Sequence, residues 1–328
     1  NVNTANATVA TSGTAGVLAI TAKTNNDQTL DNTHGVLSAG QLNLDVANLT
    51  NAQGQITQTG VGDTSIALTS PTSTFNNTGG TLTVNSANLE VAANTLTNTD
   101  GKIQHAGTGA LSVTADTLNN VRGQVASNHN VALTIGTELN NTDGVISAAK
   151  DLNVSAGLAI AQPSGGKELN NTRGLIQATA GSLNLNVGNL DNTQGSVYAH
   201  ADLSLASTGA ITNTGFIAAQ GNTTLSANSL SSSSASVLGA GIKSDGTLAS
   251  SGDLKITTNQ ALNANGQNLA AGNTTLSGGS VNLSGSQTGA ANIGITATSG
   301  DVNTSNATVA TAGTLSIAAN VNSNQTLN

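Results

Sequence analysis

Disulfides, large aromatic side chains and formal charge are scarce or absent in this sequence. The 328-residue chain has no cysteine, 1% aromatic residues and 7% charged residues. No disulfide can stabilise the fold, and a chain without cysteine suits export in an unfolded state through a pore. One large globular core is also disfavoured, because few bulky side chains are available to fill it. Disorder is disfavoured as well, because disordered chains combine low hydrophobicity with high net charge, and 37% of this chain is apolar.

Positive charge is equally scarce. Lysine and arginine number 8 in total, form no cluster and leave a net charge of −8. This argues against binding to nucleic acid or to an anionic membrane surface. The sequence has no run of 18 apolar residues, so we expect no membrane insertion by this segment. The first residues do not form a signal peptide, so we expect that one was removed or that the chain is an internal fragment.

What the sequence does contain is a repeated motif. An apolar residue is followed by Asn two positions later, Gly five later and Leu, Ile or Val seven later. Copies start at residues 30, 49, 75, 96, 118, 139, 169 and 190, and a shortened copy starts at residue 211. The spacing centres on about 21 residues, which is the length of a β-solenoid coil and is too short for helical-pair repeats.

A second element in each repeat alternates apolar and small polar residues, as in Leu42-Asn43-Leu44-Asp45-Val46. Such alternation predicts a half-buried strand. Equivalent strands of successive coils must then stack in parallel, about 4.8 Å apart, and parallel crossovers are right-handed. We therefore predict an all-β fold, a right-handed parallel β-helix with coils of about 21 residues.

Each motif position has a predicted structural role. The two apolar positions point inward, the Asn residues form a ladder at a corner, and the Gly residues supply a positive φ. The residue before Gly varies freely, which indicates a solvent-facing site. Four successive residues at this site alternate in charge and predict a surface charge ladder: Asp100, Arg122, Asp143 and Arg173.

We predict one continuous β-helix segment over residues 1–328, with leading coils in 1–29 and regular repeats in 30–227. The only two prolines, Pro71 and Pro163, predict excursions from the coil near 60–74 and 156–168. Residues 228–328 form degenerate repeats interrupted by a run of serines. Residues 301–311 match residues 1–11 at nine of eleven positions, so a unit of about 300 residues begins again at 301.

Catalytic and metal sites find little support. Glu138 and Glu168 are the best candidate carboxylate pair for a polysaccharide-cleaving β-helix. We favour the interpretation that both are solvated corner residues, beside Lys167. The four histidines have no metal-ligand spacing and are expected on the surface. We predict no catalytic residue, no cofactor-binding residue and no metal ligand.

Two of the three aromatic residues have predicted positions. Phe75 replaces a leucine of the apolar ladder and should be core. Tyr198 follows an inward valine and should face solvent, where one aromatic ring is weak support for a sugar site. Threonines such as Thr95, Thr97 and Thr99 match an ice-binding array locally, but equivalent pairs do not recur on successive coils.

The motif Leu-x-Asn-Thr-x-Gly-x-Ile-x-Ala followed by Leu-x-Leu, seen at 96–113, 139–154 and 169–185, resembles the repeat of filamentous haemagglutinins. That family includes adhesins and the effectors of contact-dependent growth inhibition. The resemblance implies a large exoprotein, secreted to the surface of a Gram-negative bacterium by two-partner secretion through an outer-membrane transporter. It also implies that the repeat region is a rod that holds a functional tip away from the cell.

The leading hypothesis is thus a non-enzymatic structural rod that extends an adhesive or toxin-delivering region. The alternative is an adhesin module, in which the Pro71 and Pro163 excursions bind a cell-surface receptor or glycan. A polysaccharide-active enzyme using Glu138 is a third, less favoured hypothesis.

Overall fold

A computed structural model describes residues 1–68, 70–157 and 169–319. Among these residues the only regular secondary structure is β-strand, in 39 segments named β1 to β39. The strand pairs within each sheet are parallel. The chain comprises two compact units, Asn1–Ala161 and Gln162–Asn328, and each is described by itself.

The strands of the first unit are β1 (Val2–Asn3), β2 (Thr8–Ala10), β3 (Val17–Ala22), β4 (Thr29–Asp31), β5 (Val36–Ala39), β6 (Gln41–Val46), β7 (Asn48–Thr50), β8 (Gln55–Gln58), β9 (Thr64–Ala67), β10 (Thr74–Asn76), β11 (Thr81–Val84), β12 (Leu89–Thr97), β13 (Lys102–His105), β14 (Leu111–Asn119), β15 (Gln124–Ser127), β16 (Val131–Asn140), β17 (Val145–Ala148) and β18 (Leu152–Ala156).

The strands of the second unit are β19 (Leu169–Asn170), β20 (Leu175–Ala178), β21 (Leu183–Val187), β22 (Leu190–Asn192), β23 (Ser196–Ala199), β24 (Leu203–Ser207), β25 (Ala210–Asn213), β26 (Phe216–Ala219), β27 (Thr223–Ala227), β28 (Ser229–Ser232), β29 (Val237–Ala240), β30 (Leu254–Thr258), β31 (Ala261–Ala264), β32 (Gln267–Ala270), β33 (Asn273–Gly278), β34 (Ser280–Asn282), β35 (Gln287–Ala290), β36 (Asn292–Ala297), β37 (Val302–Asn303), β38 (Thr308–Thr311) and β39 (Leu315–Ala319).

Each coil has three strand positions. The first strand leads into the Asn/Gly turn, the second strand follows that turn, and the third strand is the alternating segment. The second strands stack in the order β2-β5-β8-β11-β13-β15-β17 in the first unit and β20-β23-β26-β29-β32-β35-β38 in the second. In β12, β14 and β16 the third strand runs without a break into the first strand of the next coil. Each unit is therefore a parallel β-helix, which confirms the predicted fold.

The core of each unit consists of aliphatic ladders that run through the stacked coils. The first apolar position of the motif is in register from coil to coil and is at most 2% exposed. In the first unit this ladder contains Leu30, Leu49, Phe75, Leu96, Leu118 and Leu139. In the second unit it contains Leu169, Leu190, Ile211, Leu230, Leu262, Val281 and Val302. Burying each such side chain contributes roughly 1.5–3 kcal/mol, so a thin coil folds without a large central core.

The chain leaves the coil around Pro71 over a shorter stretch than the predicted 60–74. Strand β9 lies inside that range and pairs in register with Leu89–Ala92 of β12. The irregular part is the turn around Pro71, closed by a hydrogen bond from Ser73 N to Ser70 O of 3.0 Å. Most of the predicted 156–168 excursion, including Pro163, lies outside the described residues.

The serine run at residues 231–234 does not interrupt the second unit. Ser231 and Ser232 belong to β28 and pair with Thr212 and Asn213 of the preceding coil. The regular path continues to Ala240, where β29 ends. Extra residues follow between β29 and β30, and they form the largest departure from the coil in the described part of this unit.

The sequence match between residues 1–11 and 301–311 extends to backbone conformation. Asn6 and Asn306 both have a positive φ, of 57° and 56°. The Asn3 side chain accepts a hydrogen bond from Ala5 N at 2.8 Å, and Asn303 does the same for Ser305 N at 3.0 Å. The two segments thus build the same turn.

Candidate functional site

The recurring Asn of the motif forms a buried ladder. Its nine members have no exposed surface: Asn32, Asn51, Asn77, Asn98, Asn120, Asn141, Asn171, Asn192 and Asn213. Within each unit the Nδ2 of one ladder Asn donates to the Oδ1 of the Asn one coil later, for example from Asn77 to Asn98 at 2.7 Å, whereas Asn213 Nδ2 donates to Val237 O at 3.4 Å. Asn77 Nδ2 also contacts the Gly carbonyl of its own turn, Gly80 O, at 3.2 Å. The most faithful part of the motif is therefore used to join coils.

The motif Gly is needed for a different reason from the one predicted. The positive φ belongs to the residue before it, with values between 52° at Arg122 and 62° at Gly79. A Cβ placed at Gly101 would lie 2.6 Å from Asn98 Oδ1 and still closer to the backbone oxygen of Asn77. Glycine is required because the Asn ladder and the neighbouring coil leave no room for a side chain.

A polar pair flanking the ladder Asn was missed by sequence reasoning. Where an Asp or Asn precedes the ladder residue and a Thr follows it, the Thr backbone and hydroxyl both donate to that side chain. The Thr142 N and Oγ1 atoms lie 3.1 Å and 2.7 Å from Asn140 Oδ1. The equivalent distances from Thr33 to Asp31 Oδ1 are 3.0 Å and 2.6 Å. The Asn-Asn-Thr and Asp-Asn-Thr spellings of the motif were the available signal, because Asp and Asn side chains form such turns.

The variable residue before Gly is exposed, as predicted. Arg122 Nε and Nη2 each donate to a carboxylate oxygen of Asp100 at 2.7 Å. This pairing lowers the pKa of Asp100, and it raises the pKa of Arg122 together with the nearby charge of Asp143. Both partners are about half exposed, so the pair contributes little to stability.

The histidines do not converge on a site. His34 and His200 are exposed, but His105 is only 2% exposed, so the expected surface location was wrong for His105. Its Nδ1 lies 3.0 Å from Ser127 Oγ and its Nε2 lies 2.9 Å from Ser86 O. The sequence indicated this burial, because His105 follows the inward-facing Ile103 by two residues and so lies on the same face of the strand. Within the described residues, no three His, Cys, Asp or Glu side chains are grouped to hold a metal ion.

The candidate carboxylate pair is only partly described. Glu138 is exposed and aligns with Thr117 of the preceding coil. Glu168 and Lys167 lie outside the described residues. We predict that the chain has no catalytic residue and no cofactor-binding residue, and this stays a prediction.

Tyr198 does not face solvent, contrary to prediction. It is 8% exposed, its ring centroid lies 6.3 Å from that of Phe216, and its hydroxyl donates to Ile242 O at 3.2 Å. The tyrosine does point away from the coil interior, but the extra residues after β29 fold back over it. Phe75, in contrast, is a core residue as predicted.

These extra residues form a small hairpin, residues 242–248, which we call the cover hairpin. Ile242 and Leu248 make an antiparallel bridge, and Lys243 N donates to Thr247 O at 2.8 Å. At its tip, Asp245 Oδ1 accepts from Thr247 N at 2.9 Å and from Thr247 Oγ1 at 2.6 Å. These bonds lower the pKa of Asp245. Gly246 adopts a φ of 81°, which lets the chain turn.

An open cleft of about 360 Å³ separates the cover hairpin from the second strands. We call it the hairpin cleft. Its walls consist of Leu175, Gln177, Ser196, Tyr198 and Phe216 on the strands and of Lys243, Ser244, Asp245 and Gly246 on the hairpin. Burial raises the pKa of Tyr198, and the charge of Asp245 raises it further.

A second groove, of about 310 Å³, lies in the first unit between Asp63 and Ser112. Four of its polar residues are already paired with each other. Ser65 Oγ donates to Glu90 Oε2 at 2.9 Å, and Asn88 N donates to Asp63 Oδ1 at 2.8 Å. This groove is therefore the weaker candidate for a ligand.

No helix suited to crossing a membrane occurs in the described ranges of the chain. Comparison with known proteins identifies relatives among toxins. The chain is 38% identical over 317 residues to a protein named toxin CdiA from Yersinia pestis, and 89% of the chain is covered. It is 44% identical over 88 residues to tRNA nuclease CdiA-2 from Burkholderia pseudomallei strain 1026b, with 26% of the chain covered. No solved structure matches the chain.

These alignments span only 9% and 3% of the two relatives. The profile of the haemagglutinin repeat matches residues 2–70, 60–108, 106–162, 164–215 and 178–244. These matches cover most of the chain and include every copy of the Asn/Gly motif. The chain therefore belongs to the haemagglutinin repeat family.

Proposed function

We propose that this chain is a structural segment of a large exoprotein on the surface of a Gram-negative bacterium. In this proposal the exoprotein leaves the cell by two-partner secretion through an outer-membrane transporter. The coils form a rod that holds an adhesive or toxin-delivering region away from the cell. Relatives named as toxins, of which the aligned part is a small fraction, favour toxin delivery.

One observation carries the proposal: the repeated residues of the motif all take part in packing or hydrogen bonding within the stack of coils. The apolar ladder fills the interior, the Asn ladder joins neighbouring coils, and the Gly position is sterically closed. The residue that varies, such as His34 or Gln53, is the one that faces solvent. A motif used in this way maintains a regular stack and has no groups left for substrate chemistry, so we propose that the segment is not an enzyme.

Removal of whole coils from the parent exoprotein tests this function. Deletion of residues 96–138 joins Thr95 to Leu139, which occupy successive positions of the coil register. A spacer role predicts unchanged secretion and surface display, and a retained activity of the attached adhesive or toxic region. The matched variant lacks residues 96–128, so its register is broken, and we expect reduced secretion. Loss of target-cell binding by the whole-coil deletion, with display intact, would instead assign receptor binding to these coils.

A further inference from the structure

The hairpin cleft concentrates residue types that are rare in this chain. Only one tyrosine and two phenylalanines occur among 328 residues, and Tyr198 and Phe216 both line this cleft. The opposite wall adds an ammonium group from Lys243 and a carboxylate from Asp245. Charged residues make up only 7% of the sequence, so this is an unusual combination on one small surface.

The walls of the cleft are held in position before any ligand arrives. Tyr198 is fixed by its hydrogen bond to Ile242 O, and Asp245 is fixed by the two bonds from Thr247 to its Oδ1. Ile242 is 3% exposed and lies over Gly239, where a Cβ would collide with the Ile242 side chain. Preorganisation of this kind lowers the entropic cost of binding.

The chemistry of the cleft selects among ligand classes. Lys243 and Asp245 carry opposite charges, so neither an anion nor a cation is favoured by net charge. An extended peptide cannot add a strand here, because β26 is already paired with β23 and β29. The remaining features are apolar surface from Leu175 and Phe216, and hydrogen-bonding groups from Ser196, Lys243 and Asp245.

These features match a sugar ring. A pyranose has apolar C–H faces that pack on aromatic and aliphatic surface, and hydroxyls that need both donors and acceptors. Lys243 supplies donors, Asp245 supplies acceptors, and the Ser196 hydroxyl can act as either. A volume of about 360 Å³ falls at the lower end of the range for small-molecule sites, which suits one ring rather than a long oligosaccharide.

We propose that the hairpin cleft binds one neutral hexopyranose residue, with the ring against Phe216 and Leu175 and its hydroxyls bonded to Asp245 and Lys243. The proposal is independent of the rod function, because it rests on the cover hairpin and on side chains of the second strands, such as Phe216, that lie outside the Asn and apolar ladders. A structural rod without this site would still hold its attached region away from the cell.

Tyrosine fluorescence offers a direct measurement, because Tyr198 is the sole tyrosine and the chain has no tryptophan. The intact 328-residue chain is titrated with the methyl glycosides of glucose, galactose, mannose and N-acetylglucosamine. We expect a saturable change in the Tyr198 emission with at least one of these sugars, with a dissociation constant in the millimolar range or tighter. No saturable change with any of the four, up to about 50 mM and thus well above the range of weak sites, would refute the proposal.

Variants locate the site. Asp245→Asn and Phe216→Ala should each weaken binding at least about tenfold, which corresponds to the loss of one charged hydrogen bond or one ring contact. Gly239→Ala should also weaken binding, because it displaces Ile242 without contacting the sugar. The matched control is Asp27→Asn, an exposed carboxylate in the first unit, which should leave the affinity unchanged. Circular dichroism of each variant verifies that the coils remain folded.

Two outcomes would overturn the assignment even if a signal appears. Equal affinities of the parent chain, Asp245→Asn and Phe216→Ala would show that the sugar binds elsewhere. A saturable response to acetylated tripeptides, with none to the four glycosides, would assign the cleft to a peptide. If Phe216→Ala disturbs the fold, Phe216→Leu keeps the apolar volume and should bind more weakly than the parent chain, because it lacks the aromatic face.

Discussion

At the residue scale, the Asn ladder makes neighbouring coils depend on one another. Asn98 Nδ2 donates to Asn120 Oδ1 at 2.7 Å, and Asn120 Nδ2 donates to Asn141 Oδ1 at 2.8 Å. Asn120→Ala removes both bonds and leaves a buried donor on Asn98 with one partner fewer. We expect a destabilisation of about 2–4 kcal/mol, since each buried polar group that loses its partner costs about 1–3 kcal/mol. Urea unfolding followed by circular dichroism measures it.

The preceding residue provides the control for this prediction. Asn119 is exposed and its side chain only accepts a 3.2 Å bond from Val121 N. We expect Asn119→Ala to change the unfolding free energy by less than about 1 kcal/mol. Similar effects at the two positions would contradict a special role for the buried ladder.

The motif Gly gives a second prediction at this scale. Gly101→Ala places a Cβ 2.6 Å from Asn98 Oδ1 and against the backbone of the preceding coil. Because backbone atoms cannot move aside cheaply, we expect a loss of at least about 2 kcal/mol in urea unfolding. Gly294→Ala is the comparison, because a Cβ there meets no atom within 4 Å. Its effect should be neutral or slightly stabilising, as glycine weakens a strand.

Positive-φ residues show what sequence could and could not predict about the turn. The pattern indicated that one residue near the Asn has a left-handed backbone, and glycine was the natural choice. The structure assigns that conformation to residues such as His34 and Arg122. The steric demand on Gly comes from the neighbouring coil, and contacts between coils are not encoded in the spacing of a single motif.

At the scale of elements, the cover hairpin is the feature that sequence analysis missed. The prolines marked departures from the coil because proline cannot serve a central strand. The hairpin contains no proline, and its residues Ile242 to Leu248 lie in a stretch predicted as degenerate repeat. Its signal was indirect: Ala218 and Gly239 align with Tyr198 on the outer face of the second strands. Two small residues beside an aromatic leave space for a covering segment.

Titration of Tyr198 tests whether the cover hairpin is closed in solution. Burial and the Asp245 carboxylate both raise the pKa of this phenol. Its folded-state pKa therefore exceeds the unfolded value of about 10. The associated stability is present below that unfolded value and is lost as the pH rises through the folded pKa. Ultraviolet absorbance of the phenolate should give a midpoint above that of free tyrosine.

The titration midpoint of Tyr198 in the Asp245→Asn variant separates the contribution of burial from that of the Asp245 charge. Burial is the larger cause, so Asp245→Asn should lower the midpoint but keep it above that of free tyrosine. A midpoint equal to that of free tyrosine in the parent chain would mean that the hairpin is open in solution. Addition of urea supplies the unfolded reference, because the chain has only this one tyrosine.

At the scale of the whole molecule, the repeat makes coils interchangeable within a unit. Deletion of residues 96–138 would place Phe75 beside Leu139 and Asn77 beside Asn141, in the same register as before. All the new neighbours in the ladders are of the same type. We expect the isolated variant to keep its β-sheet circular dichroism and a cooperative urea transition, with stability reduced by the loss of nearest-neighbour contacts.

An off-register deletion should behave differently. Removal of residues 96–128 joins Thr95 to His129 and shifts every later residue relative to the coil below. The later residues are then ten positions out of the coil register, so that Glu138 takes the buried position of His105 and the turn residue Gly144 takes that of Leu111. We expect loss of the cooperative transition. If both deletions fold equally well, the coil register does not determine the fold.

Fold class and apolar ladders were predictable because they depend on periodicity, which a sequence displays directly. The hairpin cleft and the surroundings of His105 were less predictable, because they depend on contacts between segments that are distant in sequence. His105 was open to prediction from its spacing to Ile103, and its polar partners Ser86 and Ser127 come from the coils on either side. Only the three-dimensional stack brings them together.

The Asn ladder also has a direction. In the Asn-to-Asn bonds within each unit, the Nδ2 of the earlier residue donates to the Oδ1 of the later one, so these amide dipoles align head to tail. At the amino-terminal end of the first unit, Thr4 Oγ1 donates to Asn32 Oδ1 at 3.0 Å and occupies the first acceptor. A stack that grows from this end always presents an open N–H donor to the next Asn to arrive. A stack that grows from the opposite end presents only an acceptor. The two growth directions are therefore chemically distinct. A chain that leaves a pore amino terminus first offers an N–H donor to each new coil.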